Sequence, residues 1–209
     1  MKKLSILAVS ITAFALAACQ TTTQEKPASN VNLAPAERVL MKAGEVRKIK
    51  SLRDGSERIS TITMVDDKTV KWEVSDGCWG TATTDDRFAP TLSWNKCGTN
   101  PEWNTGTSSI IKKEGNIWPL MLGSKVKYTF SATSSRGRVS PNYRECEVTG
   151  VVQAEAAGKT YDAFKVSCDE KYRKRTYYYA PSEERVVLEK NYHKRRNTNE
   201  VTEFVAEMK

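Results

Sequence analysis

Two segments of this chain can pair in essentially one way. "YRECEVTGVV" (143–152) and "TYDAFKVSCDE" (160–170) both alternate in polarity, and "AEAAGK" lies near the middle of the stretch between them. Folded as a hairpin centred near Ala157, they set Cys146 opposite Cys168, Val148 opposite Val166 and Gly150 opposite Phe164. Side chains alternate along a strand, so a slip of one residue would turn every apolar group to the wrong face. A bridge straight across two strands also needs a non-hydrogen-bonded pair, where the Cα atoms come close. Packing and a disulfide therefore select the same register.

Other stretches repeat the strand pattern. "KVKYTFSA" places Val126, Tyr128, Phe130 and Ala132 on one face. "RISTITMVDDKTVKWEVS" reads as a hairpin with Asp66-Asp67 at a two-residue turn, so that Val65 faces Lys68 and Thr61 faces Trp72. Turn chemistry accounts for that acidic pair without a metal. "YRKRTYYYAPSEERVV" reads as strands 171–179 and 185–192 around a proline bend. Pairing Tyr179 with Val186 aligns Arg175 with Lys190. Pairing it with Arg185 aligns Arg175 with Glu189 and is preferred, since like charges directly opposite destabilise a sheet. "EVTEFVAEM" adds a last strand. "APAERVLMKAG" reads as a short helix or a first strand. The expected fold is all-β: an antiparallel sandwich, or a curved, partly closed barrel-like sheet with long Trp-rich loops.

The N-terminus suggests a location. Lys2 and Lys3 precede an apolar run from Leu4 to Ala18, of secretory length and too short to span a bilayer as a helix. Leu16-Ala17-Ala18-Cys19 resembles a bacterial lipobox. The resemblance implies cleavage before Cys19 and lipidation of its thiol and amine, palmitate included. Two or more acyl chains anchor stably. Gln20 stands where enterobacterial lipoproteins carry an inner-membrane retention Asp, so the expected site is the outer membrane, facing the periplasm. Residues 1–18 are then signal peptide, and 19–43 a lipidated tether with a possible short helix. Residues 44–122 and 123–209 are two β regions of one domain. Removing Lys2 and Lys3 with the signal takes the net charge from +8 to +6. Export excludes nucleic acid as the partner of that basic domain.

With Cys19 assigned to lipid, four cysteines remain for an oxidising compartment: Cys78, Cys97, Cys146 and Cys168. Three pairings exist, and Cys78–Cys97 with Cys146–Cys168 is preferred. No CxxC pair and one histidine leave zinc without a ligand set, so no metal or cofactor is expected. Residues 77–122 hold Trp79, Trp94, Trp103 and Trp118 among Gly, Asn, Asp and Thr. Trp79, Trp94 and Trp103 are candidates for a sugar-stacking platform; the alternative is large plugs over the sheet ends.

Residues 123–192 resemble TapB-like exported proteins of Gram-negative bacteria. The match rests on "GKTYDAFKVSC" and "KYRKRTYYYAPSEERVVLEK": Gly158, Tyr161, Ala163, Phe164, Lys165, Val166, Tyr178, Tyr179, Ala180, Pro181, Val186 and Val187. The resemblance implies a β-rich envelope domain, curved like the half-barrels of lipoprotein carriers. It implies no activity and no catalytic residues, and its members often lack the two disulfides. "DGCW", "FAP" and "WPL" in the first half resemble a region of alphaproteobacterial lipoproteins.

No nucleophile elbow, HExxH or phosphate loop occurs, and His193 lies among cations with no orienting carboxylate in sequence, so no enzyme is expected. The candidate binding feature is a basic cluster of Lys171, Arg173, Arg175, Lys190, Lys194, Arg195 and Arg196, with Lys174, Tyr172 and Tyr192 among them. Cations beside aromatic rings suit anionic lipid or acidic glycan. The bland alternative is a charged sheet end that prevents edge pairing. The expected function is binding or organising an envelope component. Alternatives are a protein-interaction role (lysozyme-inhibitor-like, or an accessory subunit of an envelope machine) and an acyl-chain carrier.

Overall fold

The computed structural model describes residues 26–27 and 32–205. The expected signal peptide and the expected lipidation site, Cys19, lie outside the described residues. Thirteen strands occur among the described residues: β1 (Lys26–Pro27), β2 (Val46–Ser51), β3 (Glu57–Val65), β4 (Thr69–Val74), β5 (Trp79–Thr83), β6 (Ser93–Asn95), β7 (Gly106–Asn116), β8 (Lys125–Ser134), β9 (Val139–Ala156), β10 (Lys159–Glu170), β11 (Arg173–Ala180), β12 (Arg185–His193) and β13 (Thr198–Val205). Strands β2 to β13 pair antiparallel with their chain neighbours, β13 pairs with β2, and the sheet closes as a twelve-stranded barrel. It is a barrel rather than a sandwich, and it is fully closed. Closure removes the edges that an open sheet must protect. β1 adds to the far part of β9, at Lys26↔Gln153 and Pro27↔Val152.

Both disulfides form as preferred. Cys146 and Cys168 are directly paired with Cα atoms 4.0 Å apart, and Cys78–Cys97 joins two loops at the same barrel end. Val148↔Val166 also holds, but a bulge then sets Gly150 opposite Lys165 and Phe164 opposite Val151. The hairpin turns through Ala157 and Gly158, both at positive φ, as a two-residue turn matched to the strand twist requires.

The other two registers are corrected. The first hairpin turns through four residues: Val65 pairs with Val70, and Ile62 rather than Thr61 faces Trp72. Asp66 binds the turn closed, accepting from the Lys68 and Thr69 amides at 2.8 and 2.6 Å. In the second, Tyr179 pairs with Val186, and a bulge shifts the rest so that Arg175 faces Asn191 and Tyr177 faces Glu189. Bulges bend and twist strands locally, which a closing barrel needs. Residues 35–43 form no helix. Ala36 instead exchanges backbone bonds with Leu120, at 3.1 and 2.8 Å, and the segment runs extended along the barrel. Residues 77–122 are more than loops, since they contain β5, β6 and the eleven-residue β7.

Twelve strands enclose more space than their own side chains fill. The apolar lumen is completed by two loops. Phe88, Ala89, Ile117, Trp118 and Leu120 pack against Val126, Tyr128, Phe130, Cys146, Val166, Tyr177 and Tyr179. Phe88 contacts Trp118 and Tyr177 with ring centroids 5.6 and 5.4 Å apart. These loops, 84–92 and 117–124, define the plug end. The opposite end carries the loops 135–138, 171–172 and 194–197 and is the basic end. On the outer wall, the tip of the β9–β10 hairpin folds over β12 and β13, burying Ala154, Ala163, Tyr178, Val187 and Leu188 as a second small core.

Candidate functional site at the basic end of the barrel

The register decides where each cation of the cluster goes. Alternation sends Arg173 and Arg175 to the lumen with Tyr177 and Tyr179, while Lys174, Thr176 and Tyr178 face out. Arg175 lies against two carboxylates, with Nε 3.1 Å from Glu170 Oε1 and Nη1 3.5 Å from Glu189 Oε1. Arg144 completes the set, with Nη2 2.8 Å from the same Glu170 oxygen and Nη1 donating to the Phe88 and Ala89 carbonyls at 2.9 and 2.7 Å. The network thus joins the barrel wall to the plug. Arg144 and Glu170 are only 7 % and 6 % exposed. A buried charge is tolerated only when paired and hydrogen-bonded, as these are. Burial alone would lower the Arg175 pKa, but Tyr177, Glu170 and Glu189 hold it above its ordinary value. Burial would likewise raise Glu170, yet Arg175 and Arg144 bring its carboxyl below the usual range.

Arg173 faces His193 across the strands. Burial, then Arg175 nearby, lowers its pKa. Burial and Arg173 also lower His193, whose Nε2 lies 3.5 Å from Glu200. Lys194 pairs with Asp169 at 2.8 Å, and Asp169 also accepts from the Tyr143 hydroxyl at 2.9 Å. Lys190 sits on the outer wall, its Nζ 5.2 Å from the Tyr178 ring. The seven cations therefore do not converge on one surface.

Three of them stand in solvent on the basic-end loops. Lys171, Arg195 and Arg196 are exposed. Lys171 Nζ lies 5.2 Å from the centroid of the Tyr172 ring, and Arg195 Cζ only 4.1 Å from it. The Lys194 amide donates to the Tyr172 carbonyl at 3.0 Å, which fixes one loop against the other. Hydrogen bonding with Ser140, then Lys171 beside it, lowers the Tyr172 pKa. None of the three cations forms an ion pair with a described carboxylate. Cations over an aromatic face gain modestly from its quadrupole and remain free to donate outward.

The tryptophans are distributed differently from a platform. Trp72, Gly80, Trp94 and Gly106 form one row across β4 to β7 and face the lumen. A Cβ at Gly80 would meet the Trp72 ring at 2.6 Å, and one at Gly106 would meet Trp94 at 2.6 Å, so each ring lies across the neighbouring glycine. The Trp94 indole N–H donates to the Trp103 carbonyl at 2.8 Å. Trp79 is next to Gly80 in its strand and points to the outer wall, where Lys71 lies 5.2 Å from its ring. Trp79 and Trp94 thus lie on opposite faces and cannot stack one glycan.

Two structural residues escaped the sequence reading. Asp86, 1 % exposed, accepts from the Phe88 amide at 2.9 Å, the Trp118 indole at 3.3 Å and the Tyr128 hydroxyl. Its partners lie 32 and 42 residues away in sequence. Glu170 was within reach, because the Cys146–Cys168 register also sets Arg144 opposite Glu170. Among the described residues no cluster of three or more His, Cys, Asp or Glu could hold a metal.

No family model matches the chain, and no curated protein does. The TapB-like likeness of residues 123–192 therefore stays a resemblance. Solved structures align with the chain, among them two from bacteria. One is the hypothetical lipoprotein YmcC from Escherichia coli K12, 8 % identical, covering 78 % of this chain and 83 % of that one, with a TM-score of 0.44. The other is a Bacteroides fragilis protein described as exported and of YmcC-like fold, 10 % identical, covering 83 % and 100 %, with a TM-score of 0.40.

Proposed function

We propose that this chain is a lipid-anchored, non-enzymatic protein of the outer membrane, facing the periplasm, that binds an anionic envelope component through Lys171, Tyr172, Arg195 and Arg196. The observation that carries the reading is a contrast within the cluster. Arg175 and Lys194 are matched by carboxylates, whereas Lys171, Arg195 and Arg196 are exposed and pair with no described carboxylate. The lipobox at Cys19 and the two disulfides support an exported, anchored chain. A resident acyl chain is disfavoured because Phe88, Trp118, Tyr177 and Tyr179 occupy the apolar lumen.

Anionic head groups and acidic glycans share the chemistry this rim would meet. The test is binding of the unlipidated mature chain to phosphatidylglycerol vesicles, phosphatidylcholine vesicles and an acidic glycan. Each cation near an anionic surface contributes about 1 kcal/mol, so K171E/R195E/R196E should weaken binding by roughly a hundredfold or more. Unchanged binding by that variant rejects the reading.

A further inference from the structure

The exposed apolar residues are as unevenly placed as the cations. Seven large hydrophobic side chains are exposed among the described residues, and five of them ring the plug end: Leu40, Met64, Val65, Met121 and Leu122. The Met121–Leu122 turn presents two of them side by side, at 49 % and 70 % exposure. Single exposed apolar residues are ordinary on a protein surface; a ring of them at one end is a contact surface.

The chain's own path says what that surface meets. β1 pairs with β9 beyond the point where Gly123 and Ser124 bond to Val148, so the Met121–Leu122 turn lies at the same edge of β9 as β1. β1 runs antiparallel to β9, so its N-terminal side follows β9 toward the hairpin tip, past the end of β9 that pairs with β8. Cys19 is seven residues before Lys26, a reach of at most about 25 Å. Val139, at the basic end, is thirteen residues back along β9 from Val152, about 40 Å of strand.

We infer that the plug end is the side the barrel turns toward its anchoring bilayer, docking on the lipid surface through the Met121–Leu122 turn, with Leu40, Met64 and Val65 around it. The basic rim then faces away from that bilayer, toward whatever lies opposite. The inference rests on lipidation at Cys19.

The test is amide hydrogen exchange on the full lipidated chain reconstituted in phosphatidylcholine vesicles, whose zero net charge does not recruit the basic rim. Exchange at residues 120–123 should slow about tenfold on reconstitution, while the 135–138 and 194–197 loops exchange as in detergent. M121E/L122E should restore fast exchange at 120–123 yet still sediment with vesicles, and Cys19→Ser should not sediment. An anchored chain whose 120–123 amides exchange as fast as in detergent overturns the docking surface and leaves anchoring intact. A wild-type chain that does not sediment overturns anchoring, and the inference with it. Slowing without vesicles, appearing as protein concentration rises, assigns the surface to a second copy and equally overturns the inference.

Discussion

At the plug end a carboxylate is buried and answered by three donors; at the basic end three cations stand in solvent and pair with no described carboxylate. Asp86 holds Phe88, Trp118 and Tyr128 together inside the lumen. Lys171 and Arg195 flank the Tyr172 ring, Arg196 is exposed next to Arg195 in the chain, and none of the three makes an ion pair with a described carboxylate. Between them, Arg144, Glu170, Arg175 and Glu189 form a paired network that ties the plug to the wall. Charge inside the barrel is paired, and the charge proposed to bind is on the rim. Substitutions at the two ends should therefore separate stability from binding.

The largest effect belongs to Asp86. Asp86→Ala leaves three buried donors without an acceptor, each costing about 1–3 kcal/mol, so the barrel should lose about 4 kcal/mol and roughly 10 °C in Tm. A melting curve within about a degree of wild type would remove the plug from the account of stability. Glu170→Gln should follow, at about 3 kcal/mol, because it takes the charged partner from buried Arg144 and leaves Arg175 with Glu189 alone. Its pH dependence sharpens the point. The Glu170 carboxyl lies below its ordinary value in the fold. Its contribution is therefore complete above the unfolded value of about 4.3 and is lost as pH falls through the lower folded value. Urea midpoints of wild type and E170Q should converge in acid and differ at neutral pH.

Gly106→Ala is expected to cost about 2 kcal/mol, because its Cβ would meet the Thr133 carbonyl at 2.5 Å and the Trp94 ring at 2.6 Å. At Gly150 a Cβ would meet nothing within 4 Å, so Gly150→Ala should stay within about 0.5 kcal/mol of wild type. Equal losses at the two glycines would contradict the packing of Trp94 over β7. The smallest stability effect should come from K171E/R195E/R196E, about 0.5 kcal/mol or less by chemical denaturation.

Much of the barrel was legible where two local signals agreed. The Cys146–Cys168 pair was fixed by alternation and by bridge geometry together, and it carried Arg144–Glu170 with it. Bulges were not legible. The extra residues that turn Gly150 toward Lys165 and Arg175 toward Asn191 answer the curvature of a closed sheet, and no local pattern encodes that curvature. Alternation also says that one face is buried without saying whether the sheet closes or packs on another, which left sandwich and barrel both open. Asp86 carried no local signal, because two of its three hydrogen-bond partners lie 32 and 42 residues away. The basic cluster was visible as composition. Its division into lumen, outer wall and rim depended on strand parity beyond a bulge.

On the proposed function the rim cations bind and the lumen cations do not. The most direct measurement is the salt dependence of binding to phosphatidylglycerol vesicles, set beside the Tm, for wild type and K171E/R195E/R196E. Wild-type affinity should fall steadily with added salt as screening shortens the reach of exposed charges. The variant should bind weakly at every salt concentration with an unchanged Tm. Wild-type binding that ignores salt, or a variant that binds as wild type does, would contradict the claim.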